Sequence, residues 1–211
     1  FLQSIVSHSQ VRKDFSPRKE ISLNGDILVI GNNILNRYVA PNWWGNGEVL
    51  PNTPYHDTGV NDDFDMRYIN IDKSDSNFNS SKATLTIPVA SQACYEIVYA
   101  ALYWSGTYND KNANRSKINT IKLKTPTSNG YLKLTGTLIH DEATSGSDAY
   151  ESKPYACYKD ITDEVKLAKQ GEYTVANLIT SEGDFSPGGN SAGWSIFIIY
   201  KDVKLPSKFI T

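Results

Sequence analysis

The chain has 211 residues, a length that suits one β-sandwich domain or two small domains, and one domain is the simpler interpretation. Its 21 basic and 23 acidic residues give a formal net charge of -2, so no broad positive field favours nucleic acid as a partner. Hydrophobic residues make up 39 % of the chain, and 13 tyrosines and 4 tryptophans indicate a β-rich extracellular module rather than a disordered chain or a cytosolic helical enzyme.

The N-terminal stretch is polar and aperiodic, and we expect residues 1–24 to form an arm or a leader strand. The first clear strand is Gly25–Gly31, which has a glycine at both ends, and the sandwich domain is expected over 25–211. Phe1 is not an initiator methionine, no signal peptide precedes it, and Lys208–Thr211 has the pattern of a strand. We therefore expect this domain to be part of a larger protein.

A long segment from Asn32 to Asp65 is rich in Asn, Pro and Gly and contains the pair Trp43-Trp44. Nothing in it is periodic, so we expect a long loop with room for short strands. Loops of this length in a compact domain are usually functional or partly disordered. This segment is therefore the first place to look for a ligand site.

Later elements are predicted from alternation and β-rich composition. The run from Gly193 to Tyr200 is rich in β-branched and aromatic residues and too short for a membrane helix, so we expect a strand buried in a sheet and no membrane insertion. One helix is predicted over 160–171, with Thr162 or Asp160 as N-cap and Gly171 as its stop. The other predicted strands are 66–72, 82–88, 95–104, 118–124, 131–140 and 172–179.

The order of these elements predicts the fold class. Eight to ten strands follow one another without alternating with helices, which favours an antiparallel arrangement over a parallel sheet. We expect an all-β fold, a jelly-roll-like sandwich of two antiparallel sheets with one short helix and long loops.

The two cysteines, Cys94 and Cys157, are too few for a four-thiolate zinc site, so a disulfide between them is the predicted arrangement. Such a bridge would close a loop of about 64 residues and contribute on the order of 4 kcal/mol by the chain-entropy model. The alternative is two buried free thiols.

A set of short motifs occurs in a characteristic order between residues 25 and 211. Together they resemble the N-terminal domain of very large cell-surface adhesins of gliding and related Bacteroidota, which the type IX secretion system exports. The resemblance implies a secreted module on the outer cell surface that adheres to surfaces or polysaccharide. The motifs are Gly25–Asn33, Met66–Asp72, Ser80–Leu85, Tyr99–Trp104, Asp160–Asp163, Tyr173–Asn177 and Gly193–Asp202.

Oxygen-bearing side chains cluster on both sides of the strand predicted over 66–72, and calcium requires such ligands. The spacing is not that of an EF-hand, because no glycine stands at the sixth loop position and no glutamate closes either loop. The alternative is that these are polar turn residues that cap strand ends in water. The calcium hypothesis concerns Asp62, Asp63, Asp65, Asp72 and Asp75.

No catalytic spacing stands out. Asp141, Glu142, Asp148 and Glu151 could be written as a glycosidase carboxylate pair, but nothing in the sequence fixes the distance that such a pair requires. The three histidines show neither metal-ligand spacing nor a nucleophile and base pairing. We therefore expect a noncatalytic protein without a certain cofactor.

Aromatic residues in loops are the remaining ligand-binding candidates, because flat rings can stack on sugar faces. They are Trp43, Trp44 and Tyr55 in the long loop and Tyr108 at a strand end. The alternative is that the loop tryptophans fold down and cover the edge of the sandwich, and Trp104 is expected in the core. The loop over 181–192 is flexible by composition and could form a second wall of the site.

Three functions are compatible with this sequence. The first is a noncatalytic adhesion module at the end of a large secreted filament, which contacts polysaccharide or an abiotic surface. The second is a structural or assembly domain that binds another cell-surface protein. The third, which the missing catalytic spacing disfavours, is an enzyme that acts on polysaccharide.

Overall fold

A computed structural model describes residues 16–39, 48–49, 63–88, 95–144, 152–184 and 189–211. Strands dominate these residues, with one α-helix and two short 3-10 helices at Ala113–Lys117 and Glu142–Thr144. The strands are β1 (Ile21–Asn33), β2 (Leu35–Val39), β3 (Glu48–Val49), β4 (Asp65–Tyr68), β5 (Ser80–Leu85), β6 (Tyr95–Asn109), β7 (Thr120–Lys124), β8 (Leu132–Thr135), β9 (Thr137–Asp141), β10 (Ser152–Asp160), β11 (Gly171–Ala176), β12 (Gly183–Asp184), β13 (Ala192–Asp202) and β14 (Ser207–Ile210), and the helix is α1 (Thr162–Ala168).

The paired strands form antiparallel sheets. A six-stranded sheet has the order β14-β1-β13-β6-β10-β9, and a four-stranded sheet has the order β5-β11-β7-β8. A smaller group, β12-β4-β2-β3, lies beside them and contains the ends of the long loop. The predicted all-β, antiparallel sandwich-like fold is confirmed.

The first strand changes neighbours part-way along. Ile21–Asn24 pair with β14, and Gly25–Asn33 pair with β13. At Gly25 an added Cβ would lie 2.0 Å from the carbonyl oxygen of Tyr200, so only glycine lets the two backbones approach this closely. The glycine that limits the predicted strand therefore marks a change of partner inside a longer strand.

The core lies between the inner face of the six-stranded sheet and the facing four-stranded sheet. Alternate residues of each long strand point inward, as the two-residue repeat requires. Each large apolar side chain buried in this way contributes roughly 1.5–3 kcal/mol. The fully buried set includes Leu102, Trp104, Ile121, Leu123, Tyr173, Val175, Ile196 and Ile198.

The helix α1 closes one end of the core, where Val165 and Ala168 are buried. Its first turn is held by Asp160, whose Oδ1 accepts hydrogen bonds from the backbone N–H (2.9 Å) and hydroxyl (2.6 Å) of Thr162. The helix ends earlier than predicted because Lys169, at φ 57, takes the left-handed conformation expected of Gly171. The predicted helix is therefore confirmed, but its N-cap is Ile161 rather than Thr162 or Asp160, and it ends before the expected stop.

The strand β10 was not predicted from the sequence. Pro154 lies inside it, and a proline argues against a strand because it cannot donate a hydrogen bond to the neighbouring strand. In the structure Pro154 pairs opposite Thr107, and Tyr155 and Cys157 point into the core. The long loop does contain short strands, as expected, namely β2 and β3.

The thiol of Cys157 is free and fully buried, and its Sγ lies 3.8 Å from the carbonyl oxygen of Ile118. Burial raises the pKa of this thiol to about 12, so it stays protonated. Cys94, the predicted partner of Cys157, lies outside the described residues.

Within the described ranges no helix is long and apolar enough to span a membrane.

Candidate functional site

Several loops leave the six-stranded sheet at the same end. The register places Asn33 opposite Gly193, Gly106 opposite Ala192, and Asn109 opposite Ser152. The connections that follow β1, β6 and β9 and that precede β10 and β13 therefore meet there. We call this region the loop end.

The long loop and the loop over 181–192 also meet at this end. β12 pairs with β4, so Gly183 lies opposite Met66 and Asp184 opposite Asp65. The long loop leaves β2 and returns at β4, and β2 and β4 are themselves paired. The beginning of the 181–192 loop, which was predicted to form a second wall of the site, therefore lies next to β4, where the long loop ends.

Tyr108 is the one predicted ligand-binding residue within the described part of the chain. It lies at the loop end, opposite Lys153 of β10, and it is partly buried against the core. Trp43, Trp44 and Tyr55 lie outside the described residues, so their role in binding stays a prediction. Because Tyr108 is only partly buried, part of its side chain is accessible to solvent at the loop end.

A buried ion pair fixes the base of the loop end. Arg115 Nη2 lies 2.5 Å from Asp141 Oδ1, and the two side chains are 8 % and 12 % exposed. Arg115 Nη1 also donates to the backbone carbonyl oxygens of Tyr108 and of Lys153, the latter at 3.1 Å. One guanidinium therefore ties together β6, β9 and β10, as the planar, multidentate donor set of arginine allows. No sequence pattern pointed to Arg115.

Small polar side chains form a second layer at the loop end. Ser152 and Ser181 share a hydrogen bond of 2.9 Å between their hydroxyls, and Thr180 Oγ1 donates to the carbonyl oxygen of Thr107 at 2.9 Å. Asn190 is fully buried and donates from Nδ2 to the carbonyl oxygen of Gly183 at 3.3 Å. These bonds hold the beginning and the end of the 181–192 loop against β6 and β10.

Tyr68 joins the third group of strands to this layer. Its hydroxyl donates to the carbonyl oxygen of Thr180 at 2.6 Å, and Glu182 Oε1 accepts from the Tyr68 backbone N–H at 2.7 Å. Burial, and secondly the nearby Glu182 carboxylate, raise the pKa of the Tyr68 phenol, so the hydroxyl remains a donor at neutral pH. The side chains of the loop end are therefore held in a connected network.

The calcium candidates do not converge in the structure. Asp65 forms an ion pair with Arg67 at 2.8 Å, whereas Asp72 Oδ2 accepts from Asn77 Nδ2 at 2.8 Å and from the Tyr131 hydroxyl at 2.7 Å. No group of three acidic, histidine or cysteine side chains that could hold a metal ion occurs among the described residues. Asp63 and Asp75 are exposed and Asp62 lies outside the described part, so a calcium site that includes Asp62 stays a prediction.

The hydrogen bonds to Asp72 explain why the pKa of its carboxyl group is lowered. Burial alone would raise the pKa of this carboxyl, but the bonds from Tyr131, Asn77 and Ser74 outweigh burial and lower it. The ammonium of Lys122 lies close by and donates to Asn77 Oδ1 at 2.8 Å. Hydrogen-bond donors of the protein itself therefore occupy the Asp72 carboxylate. This agrees with the alternative interpretation, in which Asp72 is a polar turn residue and not a calcium ligand.

The carboxylates considered for glycoside hydrolysis have structural partners where they are described. Asp141 pairs with Arg115, and Glu142 Oε2 lies 3.2 Å from His140 Nε2. Asp148 and Glu151 lie outside the described residues, so the distance between a catalytic pair is not defined by this structure.

No family model matches this chain, and neither a curated protein nor a solved structure is significantly similar to it.

Proposed function

We propose that this protein is a noncatalytic binding module of a secreted adhesin on the outer surface of a bacterium, and that its loop end contacts polysaccharide or a solid surface. The observation that carries the proposal is that β4, which ends the segment that contains Trp43 and Trp44, pairs with β12, which begins the 181–192 loop, beside one end of the sheet scaffold. Binding residues in β-sandwich proteins commonly lie on loops that a rigid scaffold holds in place.

The chemistry of the loop end suits a carbohydrate. The half-buried hydroxyl groups of Thr107 and Ser181 lie at the loop end, where they bond to the buried side chains of Asn190 and Ser152. Sugars are recognised by hydrogen bonds to such groups together with stacking on aromatic rings. Trp43, Trp44, Tyr55 and Tyr108 would supply the rings.

The buried Arg115–Asp141 pair supports binding without conformational change. A ligand that meets a pre-organised site loses less free energy in ordering the protein. Arg115 holds three strand ends at their backbone carbonyls or through Asp141. The base of the site is therefore rigid.

The test is binding of the purified chain to a glycan array and to immobilised bacterial polysaccharides. We expect Trp43→Ala, Trp44→Ala and Tyr55→Ala each to weaken binding at least about tenfold, because removal of an aromatic ring that anchors a ligand typically costs about 2 kcal/mol or more. Phe209→Ala is the matched control, since this exposed aromatic lies on β14 near the opposite end of β1. Absence of any glycan or surface binding, or equal losses in the control, would contradict the proposal.

The proposed location on the outer cell surface can be tested separately. In intact cells of a strain that carries the gene, the domain should be removed by an added protease and stained by an antibody without permeabilisation. Protection from the protease in intact cells would exclude the outer surface.

A second candidate function is an assembly domain that binds another surface protein. It is favoured by exposed apolar side chains on the sheet, with Val29 54 % and Phe197 37 % exposed. In that case cross-linking on intact cells would capture a neighbouring surface protein, and the glycan array would remain empty.

A further inference from the structure

The outer face of the four-stranded sheet β5-β11-β7-β8 is lined with lysines. Successive side chains of a strand point to opposite faces, and Ile121, Leu123, Leu134, Tyr173 and Val175 point into the core. The residues that alternate with them therefore point away from the core. They include four lysines and a single acidic residue, namely Lys82 on β5, Lys122 and Lys124 on β7, Lys133 on β8 and Glu172 on β11. We call this surface the lysine face.

The positive charge of the lysine face is only partly neutralised by its neighbours. Lys82 Nζ lies 2.7 Å from Glu172 Oε2, so the charges of these two side chains balance each other. Lys122 Nζ donates to two uncharged groups, the carbonyl oxygen of Ser76 at 2.9 Å and Asn77 Oδ1 at 2.8 Å. The ammonium of Lys122 is thus held in place without a counter-charge of its own.

Two further lysines add charge beside Lys122. Lys133 pairs directly opposite Lys122, and like charges in such a pair destabilise a sheet. Lys124 follows two residues along β7 on the same face. Lys124 and Lys133 are exposed, and neither forms an ion pair within the part of the chain that the structure describes. The fold itself gains nothing from this concentration of like charge, which favours an anion from outside the chain as its partner.

The arrangement of the lysines suits a linear polymer with regularly spaced anionic groups. Lys82 and Lys124 lie on either side of Thr174 in one row across the strands, and Lys122 and Lys133 are neighbours in the next row. Because neighbouring strands are about 4.8 Å apart, the four lysines start within about 16 Å of one another. An acidic polysaccharide, which has a carboxylate or a sulfate on its sugar units, can reach several of them at once through charge-assisted hydrogen bonds.

A nucleic acid duplex fits this surface less well. The whole chain has a formal net charge of -2 although the lysine face is positive, so acidic residues predominate in the rest of the chain. Charges in solution act over about 8 Å at physiological ionic strength. A wide duplex would bring its phosphates close to the surrounding acidic residues, whereas a single polysaccharide chain contacts the lysine face alone.

We propose that the lysine face binds an acidic polysaccharide, with Lys124 and Lys133 as its main contacts and Lys122 as a third. The carboxylate or sulfate groups of the polymer accept hydrogen bonds from the ammonium groups. This site goes beyond the proposed function, because β5, β7, β8 and β11 form it and the loop end belongs to the other sheet. It recognises the charge of a polysaccharide, whereas the loop end is proposed to recognise sugar rings.

The test measures the affinity of the purified full chain for polygalacturonate, in which every sugar has a carboxylate, and for its fully methyl-esterified form, in which none is charged. We expect binding of polygalacturonate at low ionic strength, weaker binding as salt is added, and no binding of the methyl ester at this face.

The variant Lys124→Gln with Lys133→Gln should weaken polygalacturonate binding at least about tenfold, because it removes two hydrogen bonds to charged groups. The matched control is Lys201→Gln with Lys204→Gln, which removes two exposed lysines at the end of β13 and in the turn after it. It changes the net charge equally and should alter the affinity less than about twofold, since charges outside the contact are screened. Melting temperatures verify that both variants are folded.

A single charge reversal separates binding from stability. Lys133→Glu replaces the like-charge pair with Lys122 by an opposite-charge pair. This variant should unfold at the same urea concentration as the wild-type protein or at a higher one, and it should lose polygalacturonate binding. A lysine that served only the fold would not give this combination.

Four outcomes would overturn the proposal. One is the absence of polygalacturonate binding at low ionic strength, and another is an equal loss in the two double variants. A third is tighter binding of a DNA duplex than of polygalacturonate, which would assign the lysine face to nucleic acid. The fourth is a loss of polygalacturonate binding in Trp43→Ala that the Lys124/Lys133 variant does not show. This result would place the polymer at the loop end and leave the proposed function intact.

Discussion

The two faces of the six-stranded sheet differ although the same strands form both. In β13 the inward residues Ile196 and Ile198 are fully buried, whereas Phe197 between them is 37 % exposed. In β1 the inward residues Leu28 and Ile30 pack on the core, whereas Val29 is 54 % exposed. The side chains are chemically alike, so the facing sheet, and not the strand itself, decides which of them are buried.

This difference explains why the sequence pattern was ambiguous. A strand that is apolar at successive positions predicts burial on both faces. In the structure a sheet covers one face, and the other is apolar without an equivalent layer. An apolar outer position therefore indicates a contact that the sheets alone do not provide.

The largest expected effect tests the inner face directly. Ile198→Ala should lower the free energy of unfolding by about 3 kcal/mol, because it leaves a cavity in a closed core. The adjacent Phe197→Ala should cost only about 1 kcal/mol, since its ring is partly exposed. Urea unfolding of both variants measures the contrast, and equal losses would show that the two faces are equally covered.

A comparable effect is expected from the buried ion pair at the loop end. Arg115→Met should destabilise the fold by about 3 kcal/mol, because it leaves the Asp141 carboxylate buried without its counter-charge. The double variant Arg115→Met with Asp141→Leu should recover part of this loss. Unfolding in urea gives both values, and no recovery in the double variant would mean that the backbone contacts of Arg115 matter more than its charge.

A smaller and pH-dependent effect is expected at Asp72. Hydrogen bonds hold its pKa in the folded state below the unfolded value of about 4, so it contributes stability above that pH and loses the contribution as the pH falls through the folded pKa. Tyr131→Phe should cost about 0.7 kcal/mol at pH 7, a value reduced by solvent screening at this exposed carboxylate. The difference from the wild-type protein should shrink towards zero as the pH falls through the lowered folded-state pKa of Asp72. A difference that is constant from pH 7 to pH 2 would rule out this origin.

The smallest effect is expected on the outer face. Val29→Ser should change the free energy of unfolding by less than about 0.5 kcal/mol, because position 29 is more than half exposed. A loss of about 2 kcal/mol or more in urea unfolding would show that the outer face is covered as firmly as the core.

Much of the fold could be predicted from local patterns. Alternation identified the strands around Arg67, Thr84 and Leu123, and the short helix was recognised from its acidic first turn and late lysines. Boundaries were less accurate because they depend on neighbours. Gly136 divides the strand predicted over 131–140 into β8 and β9, since an added Cβ there would lie 2.2 Å from the Trp104 ring.

The candidate site was less predictable. The loop over 181–192 was recognised as a possible second wall from its composition, and pairing of β12 with β4 supports that placement. Arg115 was missed because a lone arginine in a polar stretch carries no pattern, and its burial follows from Asp141, which is 26 residues away along the chain. The bridge between Cys94 and Cys157 was inferred from cysteine number alone, and number says nothing about the distance between two thiols.

The change of neighbours in β1 has a mechanical consequence. β14 pairs with Ile21–Asn24 such that Ile210 lies opposite Ile21, at the end of the sheet remote from the loop end. A pull between a ligand held at the loop end and Thr211 runs parallel to this ladder and loads its four residue pairs together in shear. A force applied between Glu20 and Thr211 would instead break the hydrogen bonds of the ladder one residue pair after another, and a much smaller force would suffice.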